Sequence, residues 1–136
     1  MSEFEPAYGF ARVHHVQLSI PPGGEPASRA FWQDTLGMRE LTKPPVLAAR
    51  GGCWFTGGGV EVHVGVEAQF VPARKAHPAL LISGLKDLAA RLEERGVTVD
   101  WDDDFPGHDR FYAHDPFGNR IEFLEAVSGT EAVPEA

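Results

Sequence analysis

The sequence predicts an α+β fold in which a βαβββ module is written twice, the two copies forming a curved, mixed-sheet cup. Three observations carry this. His15, a helix ending at Gly37 and Glu61 are followed, at nearly matching separations, by His77, a helix ending at Gly96 and Glu122. Val60–Val66 alternates strictly, with Val60, Val62, Val64 and Val66 on one face and Glu61, His63 and Gly65 on the other. Leu85, Leu88, Ala89 and Leu92 recur at helical spacing.

Taken in order, Val13–Ile20 reads as a half-buried strand, with apolar residues at 13, 16, 18 and 20 and His15, Gln17 and Ser19 opposite. Pro21-Pro22-Gly23-Gly24 ends it. Pro26 suits a helical first turn, and Ala27, Ala30 and Phe31 give that helix its apolar stripe before Gly37 stops it. Pro44-Pro45, Gly51-Gly52 and Gly57-Gly58-Gly59 punctuate three short extended pieces, the last being Val60–Val66. In the second copy a strand at Ala79–Ile82 precedes the helix capped by Gly96. Strands at Val97–Trp101, Arg110–His114 and Arg120–Leu124 follow, the last two joined by the Asp115–Asn119 turn. One domain is expected over residues 11–127, with modules at about 11–67 and 76–127 and mobile termini at 1–10 and 128–136.

Composition narrows the function. A chain of 136 residues, 43% hydrophobic, can bury one core. Twelve basic against twenty acidic residues leave a net charge of −8, which argues against nucleic acid as a partner. No apolar run approaches the roughly 20 residues that span a bilayer, and Met1–Tyr8 lacks the pattern of a signal region. A cytoplasmic location is expected. The lone Cys53 excludes an internal disulfide and a Cys-x-x-Cys knuckle.

Period-2 geometry sends His15, Glu61 and Glu122 to the polar, concave side, with His77 at a strand end before Pro78. Two imidazoles and two carboxylates suit a divalent ion such as nickel, zinc, cobalt, manganese or iron. His63 shares a face with Glu61 and could replace it as ligand or line the cup. His14 reads as a structural or surface histidine. His108 and Asp102-Asp103-Asp104 read as solvated loop, Cys53 and Trp54 as strand core, and Gly57-Gly58-Gly59 as a hairpin turn.

Four segments resemble the vicinal oxygen chelate superfamily, the glyoxalase, bleomycin-resistance and dioxygenase group. They are His15-Val16-Gln17-Leu18, Ala30 to Met38, His77 to Ile82, and Asp115-Pro116-Phe117-Gly118-Asn119-Arg120-Ile121-Glu122-Phe123. The resemblance implies paired βαβββ modules and a homodimer whose cups use strands from both chains. It implies a metal triad of His15, His77 and Glu122, with Glu61 matching the fourth ligand of bacterial glyoxalase I. Tyr112 matches a tyrosine near substrate in the fosfomycin-modifying members. Ser19 and Gly65 stand where bacterial glyoxalase I carries an arginine and an asparagine, so its glutathione recognition is not expected here.

The leading expectation is a metal-dependent lyase or isomerase acting on a small oxygen-chelating substrate. Glu122 or Glu61 would remove a proton, at a pKa raised in the cup, and the enediolate would be stabilised by the ion. Tyr112, His63 and Arg120 would orient substrate. An extradiol-type dioxygenase and a metal-free protein that binds a small molecule such as an antibiotic are the alternatives.

Overall fold

The computed structural model describes residues 3–127, so the expectation for 128–136 lies outside the described residues. Its first sheet holds β1 (Val16–Ile20), β2 (Arg39–Leu41), β3 (Cys53–Gly57) and β4 (Val60–Val66), in the order β1-β4-β3-β2. The second holds β5 (Ala79–Leu81), β6 (Asp100–Asp102), β7 (His108–His114) and β8 (Arg120–Ala126), in the order β5-β8-β7-β6. Each sheet begins with a parallel pair, β1 with β4 and β5 with β8, and continues antiparallel. The doubled βαβββ plan is therefore the observed one.

The first helix, α1 (Glu25–Arg29), starts with a proline in its first turn and continues as a π-helical segment over Ala30–Thr35. Leu36 N–H donates to the Phe31 carbonyl at 2.9 Å, five residues back, and the wider turn leaves both Phe31 and Trp32 buried. The second long helix, α3 (Leu85–Glu94), buries Leu85, Ala89 and Leu92, the predicted stripe. Gly37 and Gly96 follow the two helices at φ +80° and +81°, the left-handed geometry glycine allows.

Two expectations need correction. Between Pro44-Pro45 and Gly51-Gly52 the chain is not extended: it makes a helical turn, α2 (Pro45–Ala48), because Pro45 at the first helical position is pre-set for that turn. And β1 begins at Val16, not Val13; Val13 is 73% exposed, and residues 3–15 carry no helix or strand. His14 and His15 thus lie on the lead-in to the sheet. No helix is long and apolar enough to cross a membrane among the described residues.

One apolar core joins the modules, with Ile20, Phe31, Trp32, Phe55 and Val62 from the first and Leu80, Leu92, Phe111 and Phe123 from the second. Two polar staples span the same junction. Arg91 donates to the carbonyls of Asp34 and Thr35 at 2.9 and 3.2 Å, at the end of the first helical run. Asn119 Nδ2 donates to the Ser19 carbonyl at 2.8 Å and to Asp115 Oδ2 at 2.8 Å. Asp115 Oδ1 accepts the N–H groups of Phe117 and Asn119, and Gly118 turns at φ +89°. The Asp-Pro-Phe-Gly-Asn turn is thus also the latch of one module onto the other.

Candidate functional site

In the second module, the β5–β8 register sets Ala79 beside Glu122, and β7–β8 sets Tyr112 beside Glu122 on its other flank. Ile121 and Phe123 enter the core on either side, so Glu122 faces the polar side, where only 5% of it remains exposed. His77, just ahead of β5, brings Nε2 to 3.0 Å from Glu122 Oε1. Its other nitrogen, Nδ1, is 2.6 Å from the Lys75 carbonyl oxygen. A carbonyl only accepts, so Nδ1 carries the proton. Nε2 is then the nitrogen turned toward the Glu122 carboxylate, and the two could hold a metal ion between them.

Arg110 holds the opposite oxygen, with Nη1 3.3 Å from Glu122 Oε2, and is itself bound to Asp102 at 2.9 Å. Burial would lower the Arg110 pKa, but the Asp102 and Glu122 contacts outweigh it and raise it. Asp102 is held below the usual carboxylate range, first by the Asp104 N–H and then by Arg110. This corrects the expectation of a solvated acidic loop: Asp102 is a working partner. Tyr112 packs edge-on to His77, ring centroids 5.4 Å apart, with the Arg120 guanidinium 3.9 Å above its ring.

The first module assembles its polar face differently. His14, His15 and Glu61 present ligand atoms within 4.8 Å of one another, the one such group of three or more among the described residues. His14 Nδ1 lies 2.9 Å from His15 Nδ1. His63, 5% exposed, is stacked between His15 and Trp54 at centroid distances of 3.9 and 4.4 Å. Trp54 is consequently a wall of the polar face, whereas Cys53 beside it is core, its thiol pushed up to about 11 by burial. His63 Nε2 meets Glu61 Oε2 at 2.8 Å.

Burial pushes the His63 imidazole below its ordinary pKa although Glu61 pulls the other way. Neutral His63 donates from Nε2, which leaves Nδ1 with a lone pair. The His63 hydrogen bond is the main cause that lowers the Glu61 pKa. The expected rise in a cup carboxylate therefore does not occur at Glu61, because its hydrogen bond outweighs the little burial it has.

Sequence reasoning gathered the four expected ligands on one shared ion; within one chain His77 meets Glu122 and His15 lies near Glu61. His15 and Glu61 line two cavities, one shared with Pro78, Leu80 and Leu81 and one with Lys43, Arg50 and Trp54. His77 opens on another, with Leu18, Ser19 and Arg120. Arg110 and Trp54 were missed as site residues. Their signal was present: both lie on strands at positions whose neighbours, Phe111 and Cys53, are apolar core.

A family model described as the glyoxalase/bleomycin resistance protein/dioxygenase superfamily matches residues 12–123. A Bacillus anthracis structure described as a glyoxalase family protein is 44% identical, with a TM-score of 0.85, covering 88% of this chain and 98% of that one. A glyoxalase family protein from Enterococcus faecalis is 23% identical with a TM-score of 0.69, over 85% and 98% of the two chains. The fosfomycin resistance protein FosX from Listeria monocytogenes, 14% identical with a TM-score of 0.69 over 88% and 97%, shares the fold. No curated protein matches. With the doubled module, the Asp-Pro-Phe-Gly-Asn latch and a model match over most of its length, the chain belongs to the glyoxalase/bleomycin resistance protein/dioxygenase superfamily.

Proposed function

We propose that this protein is a metal-dependent enzyme of glyoxalase type, a lyase or isomerase acting on a small substrate with neighbouring oxygens. The observation that carries the reading is the His77–Glu122 pair. The 3.0 Å between Nε2 and Oε1 is the spacing of two adjacent ligands that each lie about 2.1 Å from one ion at roughly a right angle. The Lys75 carbonyl fixes the His77 tautomer from behind, as second partners of metal-bound histidines do. The donor set fits a divalent ion.

His15 and the Glu61–His63 pair would supply the rest of the set. If His15 is matched with His77, Gln17 stands where Ala79 does. Gln17 is registered with His63, and Ala79 with Glu122. The place equivalent to Glu122 is thus occupied by His63, so we assign the fourth ligand to His63 through Nδ1. Glu61 orients it and keeps Oε1 for the proton. Bound in this set, a divalent ion would act as Lewis acid on a substrate carbonyl and acidify the carbon beside it.

Each step then rests on side chains. Glu61 stays ionised and takes the proton. Glu122, with both oxygens engaged, holds rather than reacts. Arg110 holds Glu122 in place, and Tyr112, braced by Arg120, offers its ring and hydroxyl to substrate. Because the two pairs open on different cavities, we propose a homodimer in which one copy's first module faces the other copy's second. Phe4, Tyr8, Phe10 and Val13, all exposed ahead of His14, supply apolar surface for such a contact.

The test is metal content of the purified protein against His77→Ala, with turnover of an α-hydroxy or α-keto carbonyl panel. Stoichiometric nickel, zinc, cobalt or manganese lost in the variant supports the reading. Iron with oxygen-dependent catechol cleavage would replace it with the dioxygenase. A melting temperature indifferent to chelator and to added metal would leave a metal-free binding protein.

A further inference from the structure

We infer that the cavity on the first module takes the oxyanion end of its ligand, a carboxylate, phosphate or phosphonate, through Lys43 and Arg50, with Trp54 bearing the attached carbon skeleton. This deepens the reading of the polar face as a substrate site, and rests on it. The cavity, about 540 Å³, has His15, Glu61 and His63 at one end and the segment carrying Lys43 and Arg50 along its wall.

The chain has only 12 cations against 20 acids, yet two of the 12 border this one cavity. Neither is held in a salt bridge among the described residues. The Arg50 side chain makes no hydrogen bond or ion pair among the described residues. Lys43 donates to the Gly51 carbonyl and lies 5.8 Å from the Trp54 ring; it makes no salt bridge among the described residues, its charge reaching Glu25 only as a minor influence on that carboxyl. Of the acids bordering the cavity, Glu61 alone is present, and its Oε2 is taken by His63. The nearby Glu25 carboxylate is occupied by the Gly52 N–H at 3.0 Å.

The wall is held in place. Pro44 and Pro45 set its entry into α2, and Gly51 and Gly52 leave it at φ +77° and +84°. A Cβ at Gly52 would collide with the Val64 carbonyl, so only glycine lets the segment lie this close on β4. On the floor, the Gln17 amide lies where a Cβ at Gly65 would stand, within 2.5 Å of its Nε2. It adds a neutral donor with no hydrogen-bonding partner of its own among the described residues. Two cations outside any salt bridge, a free amide donor and an aromatic wall favour an organic anion over a neutral ligand.

The experiment is an amide and indole NMR titration of the full chain, chelator-treated, at pH 8 and constant chloride. Benzoate, phenylphosphonate and benzamide are the probes. At least one anion is expected to shift the Trp54 indole and the Gly51 and Gly65 amides, with benzamide at the same concentration silent. Arg50→Gln should weaken that anion several-fold, and Lys43→Met with Arg50→Gln at least tenfold, at an unchanged melting temperature. The tighter anion identifies the head group. Equal binding of benzamide, no shift with either anion, or unchanged affinity in the double variant overturns the inference. With metal removed throughout, that failure leaves the metal reading standing, and failure of the metal reading leaves this titration unaltered.

Discussion

The two halves of the molecule share a plan but hold their polar groups in opposite ways. In the second module Glu122 is buried, gripped by His77 on one oxygen and Arg110 on the other, with Asp102 backing the arginine. In the first, His14 and His15 sit exposed on a lead-in without strand pairing, and only His63 is buried, between two aromatic rings. The second half is pre-built by charge pairing, since a buried carboxylate without partners would be costly. The first is held by stacking and one hydrogen bond, and its histidines sit on a lead-in with no strand pairing among the described residues. The difference teaches that the duplicated sequence pattern doubles the scaffold, not the chemistry: one half anchors and the other adapts.

The sharpest way to break this comparison is to mix chains. In the proposed homodimer, His15→Ala and Glu122→Gln should each lose metal and turnover. A mixed dimer carrying one variant per copy should recover one intact site, about half of the wild-type metal per dimer. No recovery would mean that each cup is built within one chain.

The anchor itself is next. Glu122→Gln removes the charge that faces both His77 and Arg110. Metal affinity should fall by more than the 10–100-fold typical of lost second partners. Glu61→Gln should leave metal content near normal and abolish turnover, whereas His63→Gln should lower metal content. The reverse pattern would return the fourth ligand to Glu61.

A smaller effect tests what keeps the halves in register. Asn119→Ala breaks the latch to Ser19 and strips a partner from buried Asp115, and should cost about 1–3 kcal/mol in denaturant unfolding. Asp115 reinforces the point: burial raises its carboxyl pKa even though Asn119 and two backbone N–H groups lower it. An unchanged midpoint would show that the apolar core alone fixes the seam.

The smallest effect is in pH. His63 is held neutral by burial, below its ordinary value near 6.5, so the unfolded chain binds a proton that the folded chain refuses. Its contribution is fully kept above about pH 6.5 and falls as pH drops through the window between that value and the lower folded pKa. Melting of metal-free protein between pH 7.5 and 5 should show this slope, reduced in His63→Gln; parallel curves would count against a neutral His63.

Much of this was legible in the chain. Val60–Val66 was read to its ends because alternation persists along the whole strand, and α3 because its apolar stripe is helical throughout. The Pro45–Ala48 turn was misread, since short proline-bounded pieces carry no period by which helix and strand can be told apart. Trp54 was read as core because its neighbours are; what moved it to the polar face was its partner across the ladder, His63. Arg110 and Asp102 went unread as a pair because their meeting depends on β6 and β7 lying side by side.

By itself, then, the sequence determined the doubled module, the core stripes and the facing of Glu61, His63 and Glu122, because period and face are local properties of a strand. Tertiary structure alone decided which acid is gripped by which cation, that His63 lies beside Gln17 and Glu122 beside Ala79, and that Lys43 and Arg50 border the histidine face. Those are matters of register and loop closure, set by contacts between residues far apart in the chain, and no local pattern encodes them.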